Sequence, residues 1–309
     1  PCRARRRQHC RPAGRDRSVA LRVLVTGASG ALGAASVRAL RTAGHDVVGC
    51  GRVMESGVVA KWDIASQDGP EPDQRADVVV HAAALRGGYG QMLDDAERLF
   101  DVNVTGTLRV ARWCISRGVS RLVLVSGAIV YGEWDMNPKS EADEIIPWVA
   151  GPYAVSKWCS EQVARLVEGQ GLELTTLRFS SLYGAAYGDG LPRRLLAEGN
   201  RNGTILVTPP TDDAFDLLHV SDAARTVRLA VESPLTGLWN AGGGTRTTIA
   251  ALAEGCGRQV SCEVRYSDGG AERAPRTLNW VDDGKAREEL GHTNEITLDM
   301  GLAEIAHGL

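Results

Sequence analysis

Residues 21–43 constrain this chain more than any other stretch. Leu21-Arg22-Val23-Leu24-Val25-Thr26 is a short apolar run, Gly27-Ala28-Ser29-Gly30-Ala31-Leu32-Gly33 follows at once, and a helical pattern continues through Ala43. Glycines between a strand and a helix let the backbone turn tightly, approach a pyrophosphate closely and pack the helix on the strand. The helix N-terminus adds unpaired N–H donors and the positive end of its dipole. Gly27, Ser29, Gly30, Ala31, Leu32 and Gly33 are therefore candidate contacts for a dinucleotide, the alternative being a glycine turn with no ligand.

The same rhythm recurs downstream. Strands are expected at His45–Cys50, in a nearly continuous apolar run at Ala76–Ala84, at Arg121–Val125, at Leu172–Phe179 and at Gly237–Ala241, with a long helical stretch over Leu93–Arg117. Continuous apolarity suits parallel strands buried on both faces. Strand and helix in alternation, without internal repeats, give an α/β chain with a Rossmann-like, doubly wound parallel sheet whose ligand sits beyond the strand carboxyl ends. The 309 residues, 43% of them hydrophobic, suffice for one such domain plus a smaller lobe. The dinucleotide-binding domain is expected at 21–181, with 214–245 returning to it. The glycine- and proline-rich 182–213 and the final 246–309 form a C-terminal substrate-binding lobe. Ser221 is the expected N-cap of a helix over Ser221–Val231, and lobe helices are expected at Thr248–Cys256, Asp282–Leu290 and Leu298–Ile305.

The end of the second strand chooses the cofactor. An Asp or Glu there would bond a ribose 2′-hydroxyl, but the chain has Gly51-Arg52. An arginine offers a charge-assisted fork to a 2′-phosphate, so Arg52 points to NADP, with NAD as the alternative. Asp63 and Ile64, after a short third strand, are candidate adenine contacts, although Asp63 could instead cap the next turn. The small residues Ala82, Ala83 and Ala84 would let a cofactor lie against the backbone.

Chemistry is carried by Gly151-Pro152-Tyr153-Ala154-Val155-Ser156-Lys157. Residues four apart share a helix face, so Tyr153 and Lys157 can address one ligand. A nearby ammonium favours the phenolate and is expected to lower the phenol pKa from about 10, making Tyr153 a usable acid/base.

Composition excludes other classes. No apolar run approaches the roughly 20 residues of a membrane span, and no secretory h-region opens the chain, so a cytoplasmic location is expected. The seven cysteines are scattered, without spacing for a disulfide framework or a zinc site, and no metal is expected. Seven arginines fall within residues 1–20. They read as a basic, disordered leader rather than a nucleic-acid arm, because the segment has no apolar periodicity.

Taken together these motifs resemble the extended short-chain dehydrogenase/reductase family, of the NAD-dependent epimerase/dehydratase type. The matching residues are Thr26-Gly27-x-x-Gly30-x-x-Gly33, Asp63, His81-Ala82-Ala83, Asn103, Ser126 to Gly132 with its Val-Tyr-Gly ending, and Tyr153-x-x-x-Lys157. Further matches are Leu177-Arg178, Leu182-Tyr183-Gly184, Leu218-His219-Val220-x-Asp222-x-Ala224 and Asn240-Ala241-Gly242-Gly243. The resemblance implies a bound NAD or NADP, Tyr153 as acid/base, Lys157 on the nicotinamide ribose, and Asn103 ordering the site.

Two departures qualify it. The family's catalytic Ser or Thr position is Gly127 here. Ser126 is on the wrong face of a continuing strand, and serves only if the strand end twists; a buried structural serine is the alternative. Ala128 and Ile129 replace the acidic pair of dehydratases. Phe215 stands where nucleotide-sugar members often carry a diphosphate-binding Arg, leaving Arg193, Arg194 or Arg273 as substitutes. Tyr89, Trp134, Trp148, Tyr183 and Tyr187 are loop aromatics that could stack on a sugar, though packing under loops is the default. The expected activity is NAD(P)-dependent hydride transfer at an alcohol or ketone of a sugar-like, possibly nucleotide-linked, small molecule. The alternatives are a nucleotide-sugar 4-epimerase holding NAD tightly, or a dinucleotide-binding protein with little catalysis. A homodimer through the helices at 93–117 and 153–168 is expected, with neither nucleic acid nor membrane as partner.

Overall fold

The computed structural model describes residues 20–54, 57–86, 96–132, 137–188, 190–268 and 276–309. The leader expected at 1–20 lies outside them, apart from its last residue. β1 (Arg22–Thr26) turns into α1 (Ala31–Thr42), followed by β2 (Asp46–Gly51), β3 (Ala60–Lys61) and β4 (Val78–His81). The helical stretch expected over 93–117 is divided into α2 (Ala96–Phe100), a π-helical segment at Asp101–Thr105 and α3 (Gly106–Ser116). Its first three positions, 93–95, lie outside the described residues. Then come β5 (Arg121–Gly127), α4 (Pro152–Arg165) and β6 (Glu173–Phe179).

These strands and a later one make a seven-stranded parallel sheet, in which the strand nearest β6 is Gly237–Ala241 and the rest run β5, β4, β1, β2, β3. The order reverses between β1 and β4, where Thr26 stands opposite His81, and a crevice at such a switch point is where ligands enter α/β sheets. Helices cover both faces. Val23 and Val25 point to one side with Leu32, Val37 and Leu40 of α1, while Leu24 points to the other with Val110 and Trp113 of α3. That alternation, apolar on both faces, is why the strand reads as an unbroken hydrophobic run. Leu24, Leu40, Leu122 and Leu124 are at most 1% exposed, and each contributes about 1.5–3 kcal/mol.

The second half of the chain holds β7 (Ser181–Tyr183), α5 (Leu191–Asn202), β8 (Thr204–Val207), β9 (Ala214–His219), α6 (Val220–Glu232), β10 (Gly237–Ala241), β11 (Arg246–Thr248) and α7 (Ile249–Val260). It ends with β12 (Glu263–Tyr266), β13 (Thr277–Leu278), α8 (Gly284–Leu290) and α9 (Leu298–His307). A separate core of Leu195, Leu196, Ile205, Leu252 and Leu302 joins α5, β8, α7 and α9. Beside it β9 pairs with β7, β11 and β13 in a small sheet. No described helix is long and apolar enough to cross a membrane.

One local expectation is corrected. The N-cap of α6 is His219, whose ring Nδ1 accepts from Ser221 N, so Ser221 lies inside the first turn. α8 (Gly284–Leu290) falls within the helix expected at Asp282–Leu290, and its Ala286 and Leu290 join the core that holds α1 and α6 side chains. Apolar spacing could not tell which of two cores those side chains enter.

Gly33 is the tightest point of the fold's entry. A Cβ there would sit 2.0 Å from the Gly27 carbonyl oxygen, so α1 can approach β1 only over a bare Cα. Gly33→Ala should lower stability by about 1–3 kcal/mol, read from the midpoint of urea unfolding; an unchanged midpoint would show that the turn can yield.

Candidate active site

The glycine turn brings the start of α1 to the carboxyl end of β1. Gly27 has φ +69° and its Cα faces the Ala83 backbone, which a Cβ would meet at 2.7 Å. Gly30 caps α1 without a side-chain hydrogen bond, so the first-turn N–H groups have no side-chain acceptor there. Thr26 Oγ1 pairs with His81 Nδ1 at 2.7 Å, and His81 Nε2 with Thr107 Oγ1 at 3.0 Å. These bonds clamp β1, β4 and α3 together behind the crevice. Burial pushes the His81 imidazole down to about 3, with the Lys157 charge adding to the effect, so it stays neutral. The donors and the bare backbone fit a dinucleotide's pyrophosphate.

Around that crevice the predicted cofactor residues divide. Ser29 Oγ comes to 3.5 Å of the position a Gly51 side chain would occupy, which sets Ser29 beside the end of β2, and Arg52 is exposed just beyond. Ala31 and Leu32 open α1. Asp63 accepts from Ala65 N at 3.1 Å while its own N–H donates to Gln67 Oε1 at 2.6 Å, the turn-capping arrangement. Ile64 is buried against Gly106. Ala82, Ala83 and Ala84 are half-buried where β4 ends. Asn103, in the π-helical segment, is 1% exposed and has every side-chain bond inside the protein: with Leu85 N at 2.8 Å, Leu85 O at 3.0 Å and Ser156 Oγ at 2.9 Å. π-Helical turns concentrate at functional sites, and this one aims Asn103 between a loop and α4.

Tyr153 and Lys157 lie on the face of α4 that meets β5. Lys157 is 6% exposed and its Nζ donates to the Val125 carbonyl at 2.8 Å. Loss of water lowers its pKa to about 8, against the opposing charge of Glu161. Tyr153 departs from expectation: burial raises its phenol above the ordinary value, and the cation acting against burial is Arg86, not Lys157. The ammonium is turned toward the strand, so i, i+4 spacing alone did not predict the electrostatics. Such a pair can still exchange a proton with a ligand lying between α4 and the α1 turn.

Ser126 meets Glu161, two turns after Tyr153 on α4. Ser126 Oγ donates to Glu161 Oε1 at 2.5 Å. The same carboxylate receives Arg178 Nε at 3.0 Å and Nη2 at 2.7 Å. Arg178 Nη1 donates to Tyr131 Oη at 3.0 Å, and that hydroxyl donates to Asn240 Oδ1 at 2.8 Å. Ser126 thus belongs to a buried polar network that joins α4 to Arg178, Tyr131 and Asn240. Gly127 is extended, with φ −149° and ψ 149°, and a Cβ would meet only the Phe179 O at 3.7 Å and Ile129 at 3.8 Å. A side chain fits there. Glu161 was missed in the sequence; the series 153, 157, 161 on one helix face was the available signal.

On the substrate side, Phe215 is half-buried on β9, between Thr247 and Leu278. Arg193 donates to Gly308 O at 3.3 Å within the lobe, Arg194 is exposed, and Arg273 lies outside the described residues, as do Tyr89 and Trp134. Tyr183 is 3% exposed and packs edge-on against His219, so it serves core packing. Trp148 is 65% exposed. Among the described residues, no group of three His, Cys, Asp or Glu side chains could hold a metal ion.

Lys157 gives a pH signature. Its pKa is about 8 in the fold and ordinarily 10.5, so the unfolded chain binds more protons across that interval. Stability therefore rises as pH climbs from about 8 toward 10.5, and the contribution is lost as pH falls through about 8. In Lys157→Met this part of the rise should vanish from a plot of unfolding midpoint against pH; a rise of undiminished size would assign it to other groups. Ser126→Ala should cost about 1–3 kcal/mol of stability and leave turnover within a few-fold.

Comparison with known proteins agrees with this geometry. The NAD dependent epimerase/dehydratase family matches residues 23–242. The UDP-glucose 4-epimerase of Corynebacterium glutamicum is 28% identical, over 90% of this chain and 92% of its own. The 2-alkyl-3-oxoalkanoate reductase of Stenotrophomonas maltophilia is also 28% identical, over 72% of this chain and 68% of its own. Among solved structures, MoeE5 in complex with UDP-glucuronic acid and NAD superposes with a TM-score of 0.78 at 26% identity, covering 93% of this chain and 98% of that one. With its doubly wound sheet, its glycine turn and its Tyr153/Lys157 pair, the chain belongs to the NAD-dependent epimerase/dehydratase family of extended short-chain dehydrogenases/reductases.

Proposed function

We propose that this protein moves hydride between a nicotinamide dinucleotide and a secondary alcohol of a nucleotide-activated sugar, with Tyr153 as acid/base, and that its net reaction is 4-epimerisation. The observation that carries this is the Tyr153/Lys157 pair on α4, with Lys157 bonded to Val125 O at 2.8 Å, beside a glycine turn shaped for a pyrophosphate. When bound, the dinucleotide supplies the hydride acceptor and donor. Tyr153 takes the hydroxyl proton as the carbonyl forms and returns it on reduction. Lys157 holds its ammonium on the Val125 carbonyl, one turn along α4 from Tyr153, where it would bond the nicotinamide ribose, and Asn103 keeps the loop after β4 at a set distance from α4. Epimerase relatives support the 4-epimerase reading over a net oxidation.

NAD is the proposed cofactor, in line with the ligand of MoeE5. Arg52 favours a second reading, a reductase that exchanges NADP(H), and the reductase among the relatives is consistent with it. A homodimer through α3 and α4 belongs to the same proposal: Leu166, just past α4, is 64% exposed, and Val155 and Val163 are only half-buried. Sedimentation equilibrium tests it. A cytoplasmic location, where free thiols persist, is checked by fractionation.

The decisive experiment incubates the protein with UDP-glucose, UDP-galactose and UDP-glucuronic acid, with NAD or NADPH, and follows products by NMR. Interconversion of 4-epimers without net change in the nicotinamide supports epimerisation; stoichiometric NADPH consumption supports the reductase. Tyr153→Phe should lower kcat by about 10²–10⁴-fold while leaving cofactor binding intact. Full turnover in that variant would refute the assignment of Tyr153.

A further inference from the structure

Lys157 and Glu161 stand one turn apart on the same face of α4, a spacing at which a lysine and a glutamate ordinarily pair. Here they do not. Among the described residues the ion pair of Glu161 is with Arg178, at 2.7 Å, and none joins it to Lys157. Arg178 lies on β6 opposite Ser126 of β5. Its Nε reaches one carboxylate oxygen of Glu161 at 3.0 Å and its Nη2 the other at 2.7 Å, while Ser126 Oγ adds a third donor. The remaining nitrogen, Nη1, is fixed on Tyr131 Oη at 3.0 Å. With all three nitrogens engaged, the guanidinium holds the carboxylate in one orientation from the β6 side.

The ammonium is held more loosely. Lys157 is 6% exposed, and one of its three donors goes to the Val125 carbonyl at 2.8 Å. The other two have no acceptor among the described residues. A buried ammonium with open donors, one turn from Tyr153, is set for acceptors that a ligand brings. The other titratable group that feels its charge, His81, is neutral. Without Arg178, Glu161 would be a buried carboxylate deprived of its cation, a state costly enough to draw in the ammonium one turn away.

We propose that Arg178 is a positioning residue for the cofactor: by occupying both oxygens of Glu161 it keeps that carboxylate from capturing the Lys157 ammonium, whose two open donors then remain for the nicotinamide ribose. The inference rests on the reading of Lys157 as a dinucleotide contact. Arg178 acts through Glu161 alone, so removing the carboxylate should undo the loss that removing the guanidinium causes. An ion pair that served stability only would leave the titration of Lys157 where it is.

Arg178→Leu, Glu161→Gln and their combination test this in the full-length protein. The first readout needs no cofactor. The chain has four lysines, so the ε-carbon signals of ¹³C-lysine-labelled protein can be titrated by NMR, with Lys157 identified by its loss in Lys157→Met. Arg178→Leu should raise the Lys157 midpoint from about 8 by about 1–2 pH units, the mark of an ammonium that has gained a carboxylate. Glu161→Gln should lower it, and in the double variant the rise should vanish. The second readout is NAD affinity by calorimetry. Arg178→Leu should weaken it by about 10- to 100-fold, and adding Glu161→Gln should recover most of that loss.

A Lys157 midpoint unmoved or lowered in Arg178→Leu overturns the proposal, as does a double variant that binds NAD no better than Arg178→Leu. Should Arg178→Leu lose its melting transition, Arg178→Gln decides by the same two measurements, since it keeps a donor for the carboxylate without the charge. Wild-type affinity for NAD in Lys157→Met would instead sink the reading of Lys157 as a cofactor contact. That outcome is separate from the Lys157 titration, which needs no ligand.

Discussion

The rest of the site depends on a buried ion pair, Glu161 with Arg178, whose side chains are 4% and 6% exposed. Taking both charges out of water is costly, and a pair with unfilled hydrogen bonds would destabilise the fold. Here the carboxylate accepts two arginine donors and the Ser126 hydroxyl, while the guanidinium also reaches Tyr131. The network runs on through Asn240 to the Lys139 carbonyl at 2.9 Å. It therefore links α4 to the ends of β5, β6 and β10, the edge where the chemistry is placed. Apolar residues could fill the same volume, but they would not set the rotation of α4 about its axis as directional bonds do.

That rotation decides what Tyr153 and Lys157 face. With Glu161 held under the sheet, Lys157 falls against the Val125 carbonyl and Tyr153 lies one turn nearer the crevice. Burial favours the neutral form of both titratable groups, taking Lys157 down to about 8 and Tyr153 above its ordinary value. A fold optimised for stability alone would not keep an ammonium there. The strain is localised where proton transfer is proposed, and the surrounding polar network is the part that is fully satisfied.

Gly127 ends β5 in extended backbone without a side chain. It removes a hydroxyl from a place where the backbone would accept one, since no steric or dihedral obstacle stands there. Asn103 then matters through what it positions: its amide spans Leu85 and Ser156, two segments 71 residues apart in sequence. In the fold the Asn103 amide bonds Leu85 and Ser156, and the Ser126 hydroxyl bonds Glu161.

Features with short-range physical causes were legible in the amino-acid order. Apolar periodicity located the sheet strands, glycine spacing located the turn into α1, and i, i+4 spacing located Tyr153 and Lys157, because each follows from neighbours a few residues apart. What tertiary structure alone decided is the pairing of groups distant along the chain. Ser126 meets Glu161 across 35 residues and Tyr131 meets Asn240 across 109. The partner of a buried polar group is chosen by three-dimensional proximity and by the cost of leaving it unpaired. The direction of the Lys157 ammonium, the side on which α8 packs and the place of Arg86 over Tyr187 are of this kind. None is written in local periodicity, since each depends on how separate elements are brought together.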